Sequence, residues 1–432
     1  MRTKNLAQLI IGASGFVLED ITMDAETSEI TLAVRTSKHE SCRCGICRRK
    51  AVRYDRGRGM RRWRCLDIGS QKVYIEAEEP RVFCRKHGVV TASVPWARHN
   101  SRFTKAFEET VTWLTVHASH TVVSEFMRVE WRTVGDICER VYDELKKASP
   151  TIFNGLAYIG IDETSYKKGH KYMTVVINHE TGGVIWCAVG YGKDVLSRFF
   201  ETLTLEQRAS IRCVTADGAR WIKDCVEEYC PQAERCVDPF HVVAWATDAL
   251  EELRRDVWRE AYRQAKVAPK RSPGRPSQRE DVNPEKRQLK QVRGLRFALL
   301  KNPENLTANQ KDQLDFLGKT NPALYRGYLL KEGLRLALKE GKSKIVEALK
   351  DWMAWAQRCR IPVFRKLREK IKRNFDAIVA SAKNGLSNAR MEATNNKIKL
   401  GIRMAFGFRN DGNMLAMVML TCSSVQPSLP GR

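Results

Sequence analysis

Apolar and polar positions alternate in short runs through the first hundred residues, and from residue 102 the repeat lengthens to that of a helix. Residues 21–23 and 30–34 flank a turn at 26–28 and predict a hairpin; residues 72–77 predict a further strand. Phe103, Phe107, Val111 and Leu114 then step along one helical face. Residues 121–127 read as a short helix, 128–130 as a tight connection, and 131–145 as a longer helix with Val134, Ile137, Cys138 and Val141 inward. A short helix, a turn and a longer helix make a helix-turn-helix, which would present Trp131, Arg132 and Thr133, with Arg128 at the turn, to a major groove. Three packed helices with no such role are the competing reading, and Pro150 closes the unit.

The next segment is organised differently. Residues 156–161 form a continuous apolar run, as expected for a strand buried on both faces and ended by Asp162 and Glu163. Neighbouring side chains on a strand point to opposite faces, so one of this pair is expected to join a shared site. Strands at 172–178 and 183–189, a helix at 195–203, a strand at 211–216 ending in Asp217, a helix at 220–229 and a strand at 234–237 ending in Asp238 follow. From residue 245 to 376 the chain is helical in period and strongly basic, with Leu250, Leu253, Val257 and Trp258 at helical spacing, and reads as an insertion. Within it, residues 269–284 read as a Pro- and charge-rich linker. There Arg275 lies in a Gly-Arg-Pro core resembling an AT-hook, with a plain basic linker as the other reading. The charged run 365–373 fits either a DNA face or a solvated helix. A helix over 388–402 places Glu392, Asn395, Asn396 and Lys399 on one polar face and Met391, Ile398 and Ile402 on an apolar one.

Charge narrows the partner. With 75 Lys+Arg against 50 Asp+Glu, the formal charge of +25 points to a polyanion, double-stranded DNA or another nucleic acid. The 432 residues and 43% hydrophobic content suit about two to four soluble domains. No apolar stretch of about 18 residues is present, so no membrane span is expected. The basic start and apolar residues 6–18 overlap the shape of a secretory signal, but Gln8 interrupts them, and Ala13, Ser14 and Gly15 make a poor cleavage site. An odd 13 Cys suits a reducing compartment, so a cytoplasmic, nucleoid-associated protein is expected.

Cys44-x-x-Cys47 and Cys84-x-x-His87 together supply a ligand set that tetrahedral Zn²⁺ prefers, with Cys42 and Cys65 as spare thiols that could substitute. Buried free thiols beside a surface His are the alternative. Arg61, Arg62 and Arg64, interleaved with Trp63, suit either a phosphate-facing surface or an exposed hairpin.

Asp162-Glu163 with Lys168-Gly-His170, Asp217, Asp238-Pro-Phe-His241, residues 387–399 around Glu392, and the run 405–410 resemble the DDE transposases of bacterial insertion sequences, of the ISL-three type, over nearly the whole chain. The resemblance implies a multidomain α/β protein. A zinc-binding β module (1–97) and a helix-turn-helix (98–150) would precede a ribonuclease H-like catalytic core (151–244 and 376–432) that carries an α-helical insertion (245–375). It also implies that Asp162, Asp217 and Glu392 bind two Mg²⁺ or Mn²⁺ ions, with Asp238 and His241 in support, although Asp238 is a rival for the second position. Lys167, Lys168, Lys397, Lys399, Arg403 and Arg409 would hold phosphates. Two departures stand out: Ala393 follows the third acid where Gly is common, and His87 occupies a position that is often Cys.

The activity implied is binding of terminal inverted repeats, strand cleavage and strand transfer by a homodimer or higher oligomer, with no membrane or small-molecule partner. The alternative is a non-catalytic DNA-binding regulator derived from such an enzyme. A nuclease on the same fold is a third reading, which the sequence-reading leader disfavours.

Overall fold

The computed structural model describes residues 3–267, 293–341, 343–385 and 389–429. Arg275 and the rest of the expected linker lie outside them. At the N-terminus, α1 (Thr3–Ile11) buries Ala7 and Ile11, so the apolar stretch 6–18 divides between this helix and the start of the first strand. It packs on β1 (Phe16–Asp24), which pairs antiparallel with β2 (Glu29–Thr36); the hairpin expected at 21–34 is longer at both ends. With β4 (Met60–Arg64) and β5 (Lys72–Glu78) these make a sheet of order β1-β2-β5-β4, while β3 (Val52–Asp55), β6 (Arg81–Cys84) and β7 (Gly88–Thr91) form a second one. Trp63 and Trp96 meet edge to face in the core, with ring centroids 5.5 Å apart.

The arginines around Trp63 are committed within this module. Arg61 is paired with Glu79, Arg62 with Glu29 and Glu76, and the buried Arg64 with Asp67. The register of β4 on β5 sets Arg62 opposite Glu76 at the surface, where Arg62 stays exposed, whereas the buried Arg64 requires its partner.

Three helices follow: α2 (Lys105–His117), α3 (His120–Met127) and α4 (Trp131–Ala148), the first two capped by the side chains of Thr104 and Ser119. Val134, Ile137, Cys138 and Val141 of α4 are all buried as their spacing predicts. Arg128, expected to face DNA, instead closes α3 in a left-handed conformation (φ 53°) and pairs with Asp67, fastening the turn to the β module. Glu108 of α2 is fully buried and is satisfied by Arg98, Arg140 and Ser101.

The central sheet has the order β10-β9-β8-β11-β12, from β8 (Tyr158–Lys167), β9 (Lys171–Asn178), β10 (Val184–Val189), β11 (Cys213–Ala216) and β12 (Glu234–Val237). β8, β9 and β10 are antiparallel neighbours; β11 joins β8 in parallel, and β12 joins β11 in parallel. β8 does not stop at Asp162: β9 pairs with it through Asp162↔Val175 and Glu163↔Thr174 as far as Lys167. One face is covered by α5 (Lys193–Thr202) and α7 (Arg220–Tyr229), with the short α6 (Leu205–Ser210) between them. Gly160 carries no side chain because a Cβ there would lie 2.8 Å from His179 Nε2, which hydrogen-bonds with Thr215 Oγ1.

A long helix, α8 (Pro239–Val267), leaves β12 at once, six residues before the basic insertion was expected to start. With α9 (Arg296–Leu300), α10 (Ala308–Thr320), α11 (Pro322–Lys339), α12 (Ile345–Arg358) and α13 (Pro362–Arg373) it builds a separate apolar core around Leu250, Leu330, Leu334, Trp352 and Phe364. The chain returns through α14 (Phe375–Asn384), packed on β12, and ends in α15 (Ala389–Met404) and α16 (Asp411–Cys422). α16 lies against both β10 and α4.

His120, at the start of α3, is buried between Trp131 and Phe408, and neither ring nitrogen has a hydrogen-bond partner among the described residues. Burial holds its pKa down at about 4, so the imidazole stays neutral. An unfolded chain takes up a proton near pH 6.5 and the folded one only near 4, so this contribution to stability is complete above about pH 6.5 and is lost as pH falls towards 4, by roughly 3 kcal/mol at most. Scanning calorimetry should show the melting temperature dropping across that window, with a shallower drop in His120→Leu; equal slopes would remove His120 as a cause.

Candidate metal and nucleic-acid sites

Cys44 and Cys47 lie in the loop before β3, and Cys84 and His87 lie at the β6–β7 turn. Their four ligand atoms lie within 4.8 Å of one another. Cys44 Sγ is 3.5 Å and Cys84 Sγ 3.6 Å from His87 Nδ1, and Cys47 Sγ is 3.8 Å from Cys84 Sγ. A tetrahedron built from Zn–S of about 2.3 Å and Zn–N of about 2.0–2.1 Å has edges of about 3.8 and 3.5 Å, so the donor set fits a zinc ion in size and chemistry. The Lys86 backbone N–H pulls the Cys84 thiol down to about 6, which favours a thiolate ligand, whereas burial pushes Cys44 up. Cys42 and Cys65 are not among the four.

The second site is a cleft of about 280 Å³ lined by Asp162, Glu163, Asp238, Phe240, His241, Glu392, Asn395, Asn396 and Lys399. Asp162 and Glu163 both line it, although they are adjacent on β8 and were expected to part company. Asn395, one turn after Glu392 on α15, donates from Nδ2 to Asp162 Oδ2 at 2.8 Å, and the Glu163 backbone N–H donates to Asp162 Oδ1 at 2.8 Å. The exposed Glu392 and Lys399 stand on the same helix and face the same cleft. Asp238 is buried and receives the Phe240 backbone N–H at 3.1 Å, so it caps the start of α8 as well as lining the cleft.

Asp217 does not line the cleft with Glu392, and among the described residues the oxygens of Asp162, Asp217 and Glu392 do not all come within 4.8 Å of one another. A pair of ions about 3.5–4 Å apart spreads its ligands more widely than a single ion does. Asp217 is nonetheless near enough to matter electrostatically. Burial, then the charges of Asp217 and Asp162, push Glu163 up to about 7; burial, with Asp217, also raises Asp162. Crowded, half-buried carboxylates of this kind are stabilised by a hard divalent cation.

Two features near Asp217 take their meaning from contacts between elements distant in the chain. Gly218 packs against the Trp245 ring, which a Cβ would meet at 2.5 Å, and Lys370 of α13 lies 3.8 Å over that ring, near enough for Asp217 to raise its pKa although burial lowers it overall. The helical unit α8 to α13 thus places a cation near Asp217. Of the residues expected to hold DNA, Arg132, Lys167, Lys168, Arg403 and Arg409 are exposed, Trp131 is half-buried against His120, and Lys397 donates to Thr421 O at 2.6 Å.

Comparison with known proteins bears on both sites. Residues 159–418 match the transposase domain of the ISL3 type, residues 92–142 the helix-turn-helix domain of transposase family ISL3, and residues 40–87 the zinc-finger of transposases IS204/IS1001/IS1096/IS1165. The transposase for insertion sequence element IS1557 of Mycobacterium tuberculosis, in two strains, is 46% identical over 437 residues, covering 100% of this chain and 98% of the relative. The transposase for insertion sequence element IS1001 of Bordetella parapertussis is 25% identical over 355 residues, 81% of this chain and 82% of the relative. With matches that run from the zinc-ligand cluster to α16, the chain belongs to the ISL3 family of DDE transposases.

Proposed function

We propose that this transposase binds the terminal inverted repeats of its insertion sequence through the zinc module and α4, and performs metal-dependent strand cleavage and strand transfer at the carboxylate cleft. The observation that carries the reading is the convergence of Asp162 and Glu392, from opposite ends of the transposase domain, on one cleft in which burial and the charge of nearby Asp217 press Asp162 and Glu163 towards protonation. The strand order, three antiparallel strands followed by two parallel ones, supports a ribonuclease H-like core, and the separate apolar core of α8 to α13 supports an insertion into it.

Asp162, Asp217 and Glu392 would hold the divalent ions. When bound, magnesium supplies charge neutralisation at the scissile phosphate and a lowered pKa for the attacking water or 3′-hydroxyl. The chain's own groups do the rest. Asn395 fixes the orientation of the Asp162 carboxylate, Asp238 braces the start of α8, from whose first turn His241 lines the cleft, and Lys399 offers a cation to the phosphate at the cleft mouth. Lys167, Lys168, Arg403 and Arg409 extend that positive surface, and Arg132 reads base edges. Two element ends must be cut together, so the acting form is a dimer or larger.

Asp162→Asn and Glu392→Gln should abolish cleavage of element-end DNA while its binding stays near wild type, and retained cleavage would remove that residue from the site. Asn395→Ala should keep activity but raise the magnesium concentration for half-maximal cleavage by roughly 10–100-fold; an unchanged midpoint would leave Asn395 a packing residue. Cys44→Ser should release about one zinc per chain and weaken end binding, and purified wild-type protein free of zinc by elemental analysis would overturn that assignment. Arg132→Ala should cost roughly 1–3 kcal/mol in discrimination against altered bases; a footprint and preference identical to wild type would show that α4 does not read sequence.

A further inference from the structure

The turn between α15 and α16 holds an aromatic side chain that folding alone does not account for. Phe406 is 85% exposed, and its backbone is left-handed at φ 52°. The Gly407 N–H donates to Ile402 O at 2.9 Å and the Phe406 N–H to Arg403 O at 3.0 Å, a closure that seats Phe406 at the position where helices ordinarily place glycine. A bulky residue there is strained, and an exposed ring gains no burial in return.

The base of the turn, by contrast, is firmly set. Ala405 is buried, and Phe408 packs with Ile398, Met414 and Val418. The Phe408 ring lies 5.7 Å from His120, which in turn lies 5.5 Å from Trp131, the first residue of α4. Phe406 therefore projects from a rigid turn joined to the start of the recognition helix. Leu400 and Met404 continue the exposed apolar row along α15, with the exposed cations Lys399 and Arg403 beside them and Arg409 across the turn; Asp411 follows the turn, and Asp136 and Glu139 of α4 lie against Asn413 and Gly412. Apolar side chains set among cations match a bent duplex, in which Phe, Leu or Met enters a base step while Lys and Arg hold the flanking phosphates.

We propose that Phe406 is a wedge that enters the base stack of the DNA held by α4 and bends it towards the carboxylate cleft. This rests on the reading of α4 as a DNA-binding helix. Glu392 and Met404 are separated by about 18 Å along α15, so a duplex following that helix meets Phe406 about five base pairs from the phosphate at Glu392.

The test uses the full-length protein and a short duplex from the DNA flanking the coding sequence, chosen by gel retardation, with 2-aminopurine placed at successive steps. Wild type should raise emission at one step, reporting local unstacking, and Phe406→Gly and Phe406→Ala should not. Both variants should bind roughly five- to hundredfold more weakly, as expected for the loss of one stacked aromatic. Their salt dependence should match wild type, whereas Arg403→Ala should lower the salt slope by about one unit. Because glycine suits φ 52°, Phe406→Gly should melt no lower than wild type, which separates lost function from lost fold. Wild-type affinity and emission in Phe406→Gly would overturn the proposal. So would a change in oligomeric state by sedimentation with DNA affinity unchanged, which would make the ring a contact between copies. Wild-type protein that retards no duplex would overturn the DNA-binding reading itself.

Discussion

One hydrogen bond, from Asn395 Nδ2 to Asp162 Oδ2 at 2.8 Å, joins residues 233 apart in the chain and closes the carboxylate cleft. Without that contact Glu392 is an exposed residue on a surface helix. With it, the first turns of α15 are held over β8, and the apolar face of the same helix, Met391 and Ile398, is buried against Met173, Val175 and Ile177 of β9. The polar bond sets register and the apolar face supplies adhesion. Asp162 is itself disfavoured as an anion by burial and by Asp217, so its geometry comes from outside: Asn395 on one oxygen, the Glu163 N–H on the other.

Where sequence and structure agree, the controlling forces are local. Helix α7 and strand β12 fall where their periodicity and flanking residues put them, and α4 buries the four apolar positions its spacing selects. The Cys44, Cys47, Cys84 and His87 cluster was legible because its chemistry is concentrated in two short motifs. β8 was misread at its end for a physical reason. Its apolar run stops at Ile161 because the parallel neighbour β11 pairs no further than Gly160, while β9 continues to pair with the now polar strand and carries Asp162 into the open cleft. The ion pairs of Arg61, Arg62 and Arg64 were not legible because their acidic partners come from strands and loops that only the sheet register brings alongside. Asn395 was visible on a polar helix face, but such a face looks the same whether it meets water or a carboxylate 233 residues away. Lys370 was hidden for the same reason, since its neighbours Trp245 and Asp217 belong to other elements.

The helical unit α8 to α13 also contacts the loop that carries Asp217 rather than only extending the surface. Lys370 is held on the Trp245 ring, Trp245 fills the space that Gly218 leaves open, and Asn374, at the end of α13, receives a hydrogen bond from Arg235 of β12 at 2.6 Å. These contacts tie α8 and α13 to the loop carrying Asp217. Movement of the insertion would therefore be felt at one acid before the others, and Asp217 is the acid that does not line the cleft with Glu392.

If, as proposed, α4 recognises DNA and the carboxylate cleft cuts it at a fixed offset, the two need a stiff connection. α16 supplies it. The helix packs on β10 of the central sheet and on α4, Asn413 donates to Asp136 at 3.3 Å, and Gly135 is bare because a Cβ there would lie 2.5 Å from the Asn413 amide. The turn leading into α16 adds Phe408 against His120. Glu392 precedes this turn on α15, and Trp131 and Arg132 begin the helix against which α16 is packed, so both ends of the ruler are fixed to the same C-terminal pair of helices. Glu392 comes late in the chain, and so the helices that complete the cleft are also those that pack on α4.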